Sequence, residues 1–293
     1  WKISSAVEID TKTGVLRTGC LQDCKLKPVP LSDSAWKEMS VMNETIVIQG
    51  QISGSNSEFA GGKKGKKKMK FSPEKRKEEW KRFNDFLDGL ASPPDVIIDG
   101  ANVGYFKQNF GSAPKHVDYT QIDWIIEHFS KLGKRVLMVL HERHFAPNLM
   151  PNKFKPLQEK WEKDAVLYKS PPGMNDDWFW LHAALMFKSL VLTNDEMRDH
   201  HFQMLAPRTF LRWKERHQIH FDFGNWEGGS RKVGLVYPPI YSRRIQRVEN
   251  GLVVPLAKRG DENRFLDGVH VASDDEPIEE TYLCIRPGGA SSQ

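Results

Sequence analysis

Asp95-Val96-Ile97-Ile98-Asp99-Gly100-Ala101-Asn102-Val103-Gly104 is the stretch whose reading decides the fold. Its apolar run is too short for a helix, is rich in β-branched residues, and ends on an aspartate followed by Gly-Ala-Asn-Val-Gly. That pattern predicts a buried parallel strand opening into a tight loop. In open α/β sheets the ligand crevice lies beyond the carboxyl ends of the strands. Asp99 is therefore expected where chemistry takes place, with Gly100 and Gly104 letting backbone come close to a ligand. A plain Asp-Gly turn would read the same way in isolation. Two further acidic loops, each at a strand end or a helix start, favour a site.

Working outward, the chain alternates strand and helix. Tyr119 to Leu132 carries Ile122, Ile125, Ile126 and Phe129 at helical spacing, and Gly133 supplies the stop. Arg135 to Leu140 is a second buried strand, leading into His141 and His144, which could touch phosphate but are expected on a surface loop. A helix near Lys155 to Lys163, a strand Ala165 to Tyr168 and a helix from Asn175 to about Lys188 follow. In that helix His182, Trp178 and Trp180 read as core rather than as catalytic or base-stacking groups. Ser189 to Thr193 is the fourth strand. Four strands with helical crossovers make a parallel sheet covered on both faces.

On the amino-terminal side, Pro73 to Leu90 is a charged amphipathic helix. Before it, residues 1–50 suggest a short strand, a helix around Asp33 to Met42 and a strand Thr45 to Gln49. Between them, Gly, Ser and Lys dominate from Gln51 to Lys70, a flexible linker whose Lys63 to Lys70 run could hold phosphates through charge alone. Past Thr209, short β segments separated by Gly, Asn and Pro predict an antiparallel sheet that joins the N-terminal strand. The expected organisation is residues 1–50 and 209–293 as a small, mainly β domain built from both chain ends, 51–72 as linker, and 73–208 as the α/β domain.

Composition narrows the function. The 293 residues carry a net charge of +5 with the basic excess clustered, which suits a polyanionic partner. Three cysteines, Cys20, Cys24 and Cys284, do not make a secreted disulfide framework, and no long apolar run or signal peptide is present. An intracellular, non-membrane protein is expected.

Asp99, the pair Asp176-Asp177 and Asp195 all fall on one sheet edge. Asn175 can cap a helix whose first turn holds Asp176 and Asp177, where the dipole favours negative charge. Capping accounts for one acid but not for several converging ones. Carboxylates about 4 Å apart repel by roughly 4 kcal/mol at an effective dielectric of 20, so the cluster implies a cation. Oxygen-only donors select Mg²⁺ or Mn²⁺, one or two ions, which suits in-line attack on a phosphodiester. No Walker lysine loop accompanies the strands, against a P-loop enzyme.

Ile98-Asp99-Gly100-Ala101-Asn102-Val103-Gly104, Asn175-Asp176-Asp177-Trp178, and Leu192-Thr193-Asn194-Asp195-Glu196-Met197-Arg198-Asp199-His200 resemble protein-only ribonuclease P. Arg212-Trp213-Lys214-Glu215-Arg216-His217-Gln218 continues the likeness. The resemblance implies an NYN/PIN-type (Rossmann-like) metallonuclease that removes the 5′ leader of precursor tRNA, with metal-binding aspartates at Asp99, Asp176, Asp177 and Asp195. Asp199 would be a ligand or lie one layer behind. Asn102, Asn194, Arg198 and His200 would be pocket groups or make structural hydrogen bonds.

The resemblance also implies one structural zinc, held by Cys20, Cys24, His217 and Cys284, with His220 the weaker histidine. The family pair is Cys-x-x-Cys, and this one has an extra residue. Family members carry pentatricopeptide repeats that grip tRNA. None is found here, so they are expected in a missing N-terminal part or in a partner protein. The compartment (mitochondrion, plastid or nucleus) is not distinguished. The alternatives are an NYN-type endoribonuclease with another RNA target and a non-catalytic RNA-binding module.

Overall fold

The computed structural model describes residues 1–28, 30–49, 71–197, 207–227, 230–256 and 281–288. The basic run Lys63 to Lys70 lies outside them. Seven helices are present among the described residues: α1 (Asp33–Gln49), α2 (Pro73–Asp88), α3 (Gly100–Tyr105), α4 (Tyr119–Lys131), α5 (Lys155–Lys163), α6 (Asp176–Phe187) and α7 (Pro207–His217). The strands are β1 (Lys2–Asp10), β2 (Val15–Leu16), β3 (Val96–Asp99), β4 (Val136–His141), β5 (Leu167–Ser170), β6 (Leu190–Leu192), β7 (Gln218–Glu227), β8 (Ser230–Val236), β9 (Gln246–Val248), β10 (Gly251–Leu256) and β11 (Thr281–Arg286).

The chain divides into two units, Leu31–Tyr237 and Trp1–Pro30 with Pro238–Gln293. The larger unit carries a six-stranded sheet in the order β5-β4-β3-β6-β7-β8. β5, β4, β3, β6 and β7 run parallel, and β8 closes the edge as an antiparallel partner of β7. Alternation along the strands sorts side chains to two faces. Ile97, Leu137 and Val139 join a core with Trp80, Phe83, Phe179, Trp180 and Trp213 from α2, α6 and α7. Val96, Ile98, Met138 and Leu140 join the other, with Ile122, Ile125, Phe129 and Trp161 from α4 and α5. This is the expected α/β sheet with helices on both faces.

Local chemistry sets the helix ends. Ser72 Oγ accepts from Lys75 N with Pro73 opening α2. Asp118 caps α4 through the amides of Thr120 and Gln121. Beyond α4, Gly133 takes φ +67°, the left-handed geometry of a helix stop.

The smaller unit is an antiparallel sheet, β2-β1-β11-β10-β9. β1 and β11 bring the two ends of the sequence together, from Lys2 opposite Arg286 to Glu8 opposite Thr281, with an irregularity between Ser4 and Val7. Val7, Leu16, Leu21, Leu26, Tyr241, Val253, Tyr282 and Cys284 form its core.

Two expectations are corrected. Thr45 to Gln49 is not a strand but the end of α1. Its β-branched residues stay helical because Met39, Asn43, Ile46 and Val47 form one buried face, and Asn43 Nδ2 donates to Trp178 O of α6 at 3.1 Å. Tertiary burial overrides strand propensity there. Likewise β7 does not join the terminal sheet. It pairs in parallel with β6, Val191 opposite Gln218, and carries β8 with it. The units therefore meet in sequence at 30/31 and 237/238, not at the expected 50 and 208.

His182 is core, as its helix predicts. Its Nε2 donates to Asn84 Oδ1 at 2.9 Å, its ring packs on Trp80 and Phe83, and burial pushes its pKa from 6.5 down to about 4. Because the folded value lies below the unfolded one, the unfolded chain binds the extra proton. The contribution of His182 is then whole above about pH 6.5 and lost as pH falls towards about 4. His182→Gln, which keeps an N–H for Asn84, should flatten the fall in melting temperature between those values. Superimposable pH profiles for the two proteins would rule this out.

Candidate active site

Parallel pairing places the carboxyl ends of β3, β4 and β6 on one edge. Asp99 ends β3 and caps α3, its Oδ1 accepting from Asn102 N at 3.0 Å. The crossover from β5 to β6 returns over β4 and β3, because β5 lies at the far side of the sheet. α6 therefore starts at this edge. Asn175 caps it, Oδ1 accepting from Asp177 N at 3.4 Å and Nδ2 donating to Asp177 Oδ2 at 2.9 Å. Trp180 Nε1 also donates to Asp177 Oδ1 at 3.4 Å.

Asp99 and Asp176 are 4% and 7% exposed, far below what carboxylates usually show. Burial drives the pKa of Asp99 well up, and the charges of Asp177 and Asp176 push in the same direction. Burial also raises Asp176, with the Arg143 guanidinium pulling the other way. The structure thus brings Asp99, Asp176 and Asp177 close enough to repel.

Asp195 is tied to the same centre through Thr193. The fully buried Thr193 Oγ1 donates to Asp99 Oδ2 at 2.9 Å and accepts from Asp195 N at 3.0 Å. Asp195 Oδ1 in turn accepts from Met197 N at 3.1 Å. Gln218 Nε2 donates to the carbonyls of Thr193 and Asp195 at 2.9 and 3.0 Å. Lys214 Nζ binds Glu196 through its carbonyl, 2.9 Å, and its carboxylate, 2.8 Å.

Asn102 and Asn194 act as struts. Asn102 Oδ1 accepts from Asn194 N at 2.8 Å. The side chain of Asn194 bonds the backbone of Phe221 with both its atoms, at 2.8 and 3.1 Å. Arg198, Asp199 and His200 lie outside the described residues.

Gly100 and Gly104 serve packing rather than ligand approach. A Cβ at Gly100 would sit 3.0 Å from Val139 O, and one at Gly104 would sit 2.6 Å from Val117 Cβ. His144 is also not on a surface loop. It is 1% exposed, its carbonyl accepts from Tyr119 Oη, and its Nε2 accepts from Arg143 Nε at 3.2 Å.

No pattern in the sequence gives Thr193, Gln218, Lys214 or Arg143 a role of its own. Thr193 and the run from Lys214 to Gln218 lie inside the quoted motifs, so the signal was present without a role attached.

Among the described residues no three acidic, histidine or cysteine side chains form a preformed metal cage. The aspartate donors nevertheless suit a hard divalent cation, since they are all oxygens, Asp99 and Asp176 are buried, and the charges of Asp176 and Asp177 oppose that of Asp99. In the smaller unit, Cys20 and Cys24 pack with the buried Cys284. Burial and the two neighbouring thiols push Cys284 up to about 11. Cys20 Sγ meets the carbonyls of Cys284 and Lys2 at 3.4 and 3.5 Å. These three soft donors suit zinc. His217 belongs to the larger unit, where Nδ1 donates to Trp213 O at 2.9 Å and the ring stacks on Trp213.

Thr193→Val keeps the shape but removes the donor to a buried carboxylate, which should cost about 1–3 kcal/mol. Thr193→Ser should cost less. Urea unfolding of both variants checks this, and equal stabilities would mean that the hydroxyl does not hold Asp99.

A model of the family described as protein-only RNase P matches residues 63–266. Proteinaceous RNase P 3 of Arabidopsis thaliana is 40% identical over 174 residues, covering 58% of this chain and 29% of that protein. Proteinaceous RNase P 1, chloroplastic/mitochondrial, from the same plant is 38% identical over 187 residues, 61% of this chain and 31% of that one. The matched stretches thus span about a third of the length of these relatives. A crystal structure of nuclear proteinaceous RNase P 2 from A. thaliana superposes with a TM-score of 0.68 at 24% identity, over 99% of this chain and 50% of that one. That likeness bears on the fold alone. With the family match spanning more than half of its residues, this chain belongs to the protein-only RNase P family.

Proposed function

We propose that this chain is the nuclease portion of a protein-only RNase P, a metal-dependent endoribonuclease that removes the 5′ leader of precursor tRNA. The observation that carries the reading is Asp99, buried at the strand end with both oxygens held and two like charges beside it. Folding such a group without a cation is unfavourable, and a site for a divalent ion is what makes the arrangement useful.

Mg²⁺ or Mn²⁺, one or two ions held by Asp99, Asp176, Asp177 and Asp195, would supply water activation and charge neutralisation at the phosphodiester. The protein's own groups do the positioning. Thr193 fixes Asp99 against the Asp195 loop, and the amino terminus of α6 favours the charges of Asp176 and Asp177. The products are a 5′-phosphate on the tRNA and a 3′-hydroxyl on the leader.

Asp199 and His200 are proposed as supporting groups from the resemblance, together with Arg198. Recognition of the tRNA body is assigned to pentatricopeptide repeats outside these 293 residues or to a partner protein. The names of relatives include both a chloroplastic/mitochondrial and a nuclear protein, and the compartment of this one is proposed only within that range. Among the described residues no helix is long and apolar enough to cross a membrane.

Asp195→Asn and Asp176→Asn should lower cleavage of 5′-labelled precursor tRNA by several orders of magnitude while RNA binding stays near that of the unmodified protein. EDTA should abolish cleavage, and Ca²⁺ should support binding better than turnover. Undiminished cleavage by Asp195→Asn, or activity in excess EDTA, would overturn the reading. Cleavage of other RNAs in preference to precursor tRNA would favour the broader NYN-type nuclease, and binding without cleavage the non-catalytic module.

A structural zinc is proposed on Cys20, Cys24 and Cys284. Protein purified without added zinc should contain about one equivalent, and Cys284→Ser should lose it together with stability. A Cys20–Cys24 disulfide with no zinc would contradict this. Comparing zinc content in His217→Ala and His270→Ala identifies the fourth ligand. His270, which lies outside the described residues, is the one histidine in the sequence of the unit that carries the cysteines.

A further inference from the structure

Arg143, His144 and Tyr105 form a cluster beside the carboxyl ends of the strands. Arg143 lies in the 3-10 turn Glu142–Phe145 that follows the carboxyl end of β4, the strand beside β3. Its backbone amide donates to His141 Nδ1 at 3.0 Å. Its Nε donates to buried His144 Nε2 at 3.2 Å, which uses one of five guanidinium N–H donors and, among the described residues, leaves the Nη groups. Arg143 is itself exposed.

The same imidazole packs edge-on against Tyr105, ring centroids 5.6 Å apart. Tyr105 ends α3, the helix that Asp99 caps, and is 40% exposed. His144 is held in turn by the bond from Tyr119 Oη to its carbonyl. It must be neutral to accept from Arg143, and burial keeps it so, its pKa pushed down to about 4. A fixed cation and an exposed aromatic ring thus share one buried support, and the cation is close enough to Asp176 to lower its pKa.

A cation beside carboxylates can simply offset their charge. An exposed ring packed on the same histidine has no such use. A guanidinium and an aromatic ring fixed on one imidazole are the two groups that grip single-stranded nucleic acid, one on the phosphate and one on a base. We propose that Arg143 and Tyr105 together bind a nucleotide at the cleavage junction, the guanidinium taking a phosphate oxygen and the phenol ring stacking on the base, with His144 as the positioning residue for both. The inference rests on the proposed nuclease reading and adds how the same site holds its RNA strand.

The test compares RNA binding by the full chain carrying Asp176→Asn with that of the Asp176→Asn/Arg143→Ala double variant. The probes are precursor tRNA and a single-stranded oligoribonucleotide. Asp176→Asn removes the carboxylate whose charge Arg143 is shown to offset. A phosphate contact predicts binding about tenfold weaker and a log–log salt slope smaller by about one. Arg143→Lys should recover part of the affinity. Tyr105→Ala should weaken binding about tenfold, whereas Tyr105→Phe, which keeps the ring, should match the parent. Equal binding and equal salt slopes with and without Arg143 would overturn the proposal, as would equal losses for Tyr105→Phe and Tyr105→Ala. Circular dichroism and melting curves exclude unfolding, and the lysine and phenylalanine variants keep the test valid if an alanine variant is unstable. If the unmodified protein does not cut precursor tRNA while the Arg143 effect on the oligoribonucleotide persists, the substrate assignment fails and the clamp stands. If it cuts but Arg143→Ala binds unchanged, the clamp fails and the substrate assignment stands.

Discussion

A carboxylate buried at the end of a strand, beside two others, is an unfavourable thing for a chain to fold around. Burial and the charges of Asp177 and Asp176 all oppose ionisation of Asp99. Against them stand two hydrogen bonds, from Asn102 N and Thr193 Oγ1. Each bond to a charged group contributes roughly 1.5–3 kcal/mol, comparable with a single pairwise repulsion at short range. Burial adds to the repulsion, so without a cation the two bonds are outweighed and the pKa of the carboxyl is held well above its usual range. A divalent ion turns the balance, so the site's instability and its usefulness have one origin.

Much of the larger unit maintains that geometry. Thr193 links the Asp99 carboxylate to the Asp195 loop, and Gln218 holds the loop's carbonyls from the start of β7. Lys214 ties down Glu196 from α7. α7 is seated by the fully buried Trp213, whose loss to alanine would cost about 3–5 kcal/mol. A core tryptophan therefore reaches the site through Lys214 and Gln218, on either side of a helix end. Gly100 and Gly104 contribute from the opposite side by letting α3 lie close to β4 and Val117.

The strands around Asp99 were legible because a parallel strand buried on both faces writes itself as a short apolar run. Val96–Ile98 and Val136–Leu140 are such runs. The aspartates were legible because strand ends and the Asn175 cap fix where their side chains go. What the sequence did not disclose depends on partners distant along the chain. Thr45 to Ile48 has strand composition, and packing against α6 and α2 keeps it helical. β7 resembles the strands after it, and only its pairing with β6 assigns it to the larger sheet. Hydrophilic His144 reads as surface until Tyr119, Tyr105 and Arg143 are seen around it. Roles for Thr193 and Gln218 required three-dimensional contacts, although both residues stood inside recognised motifs.

The claim on which the rest depends is that like charges at Asp99 are held together for a cation. The most direct measurement is the melting temperature of the unmodified protein and of Asp99→Asn at pH 8, each in EDTA and in Mg²⁺. Without metal, Asp99→Asn should be the more stable protein, because it removes a buried charge without changing the shape. Mg²⁺ should raise the melting temperature of the unmodified protein and have little effect on the variant, narrowing or reversing the difference. A metal-free Asp99→Asn protein no more stable than its parent, with the same response to Mg²⁺, would contradict the account.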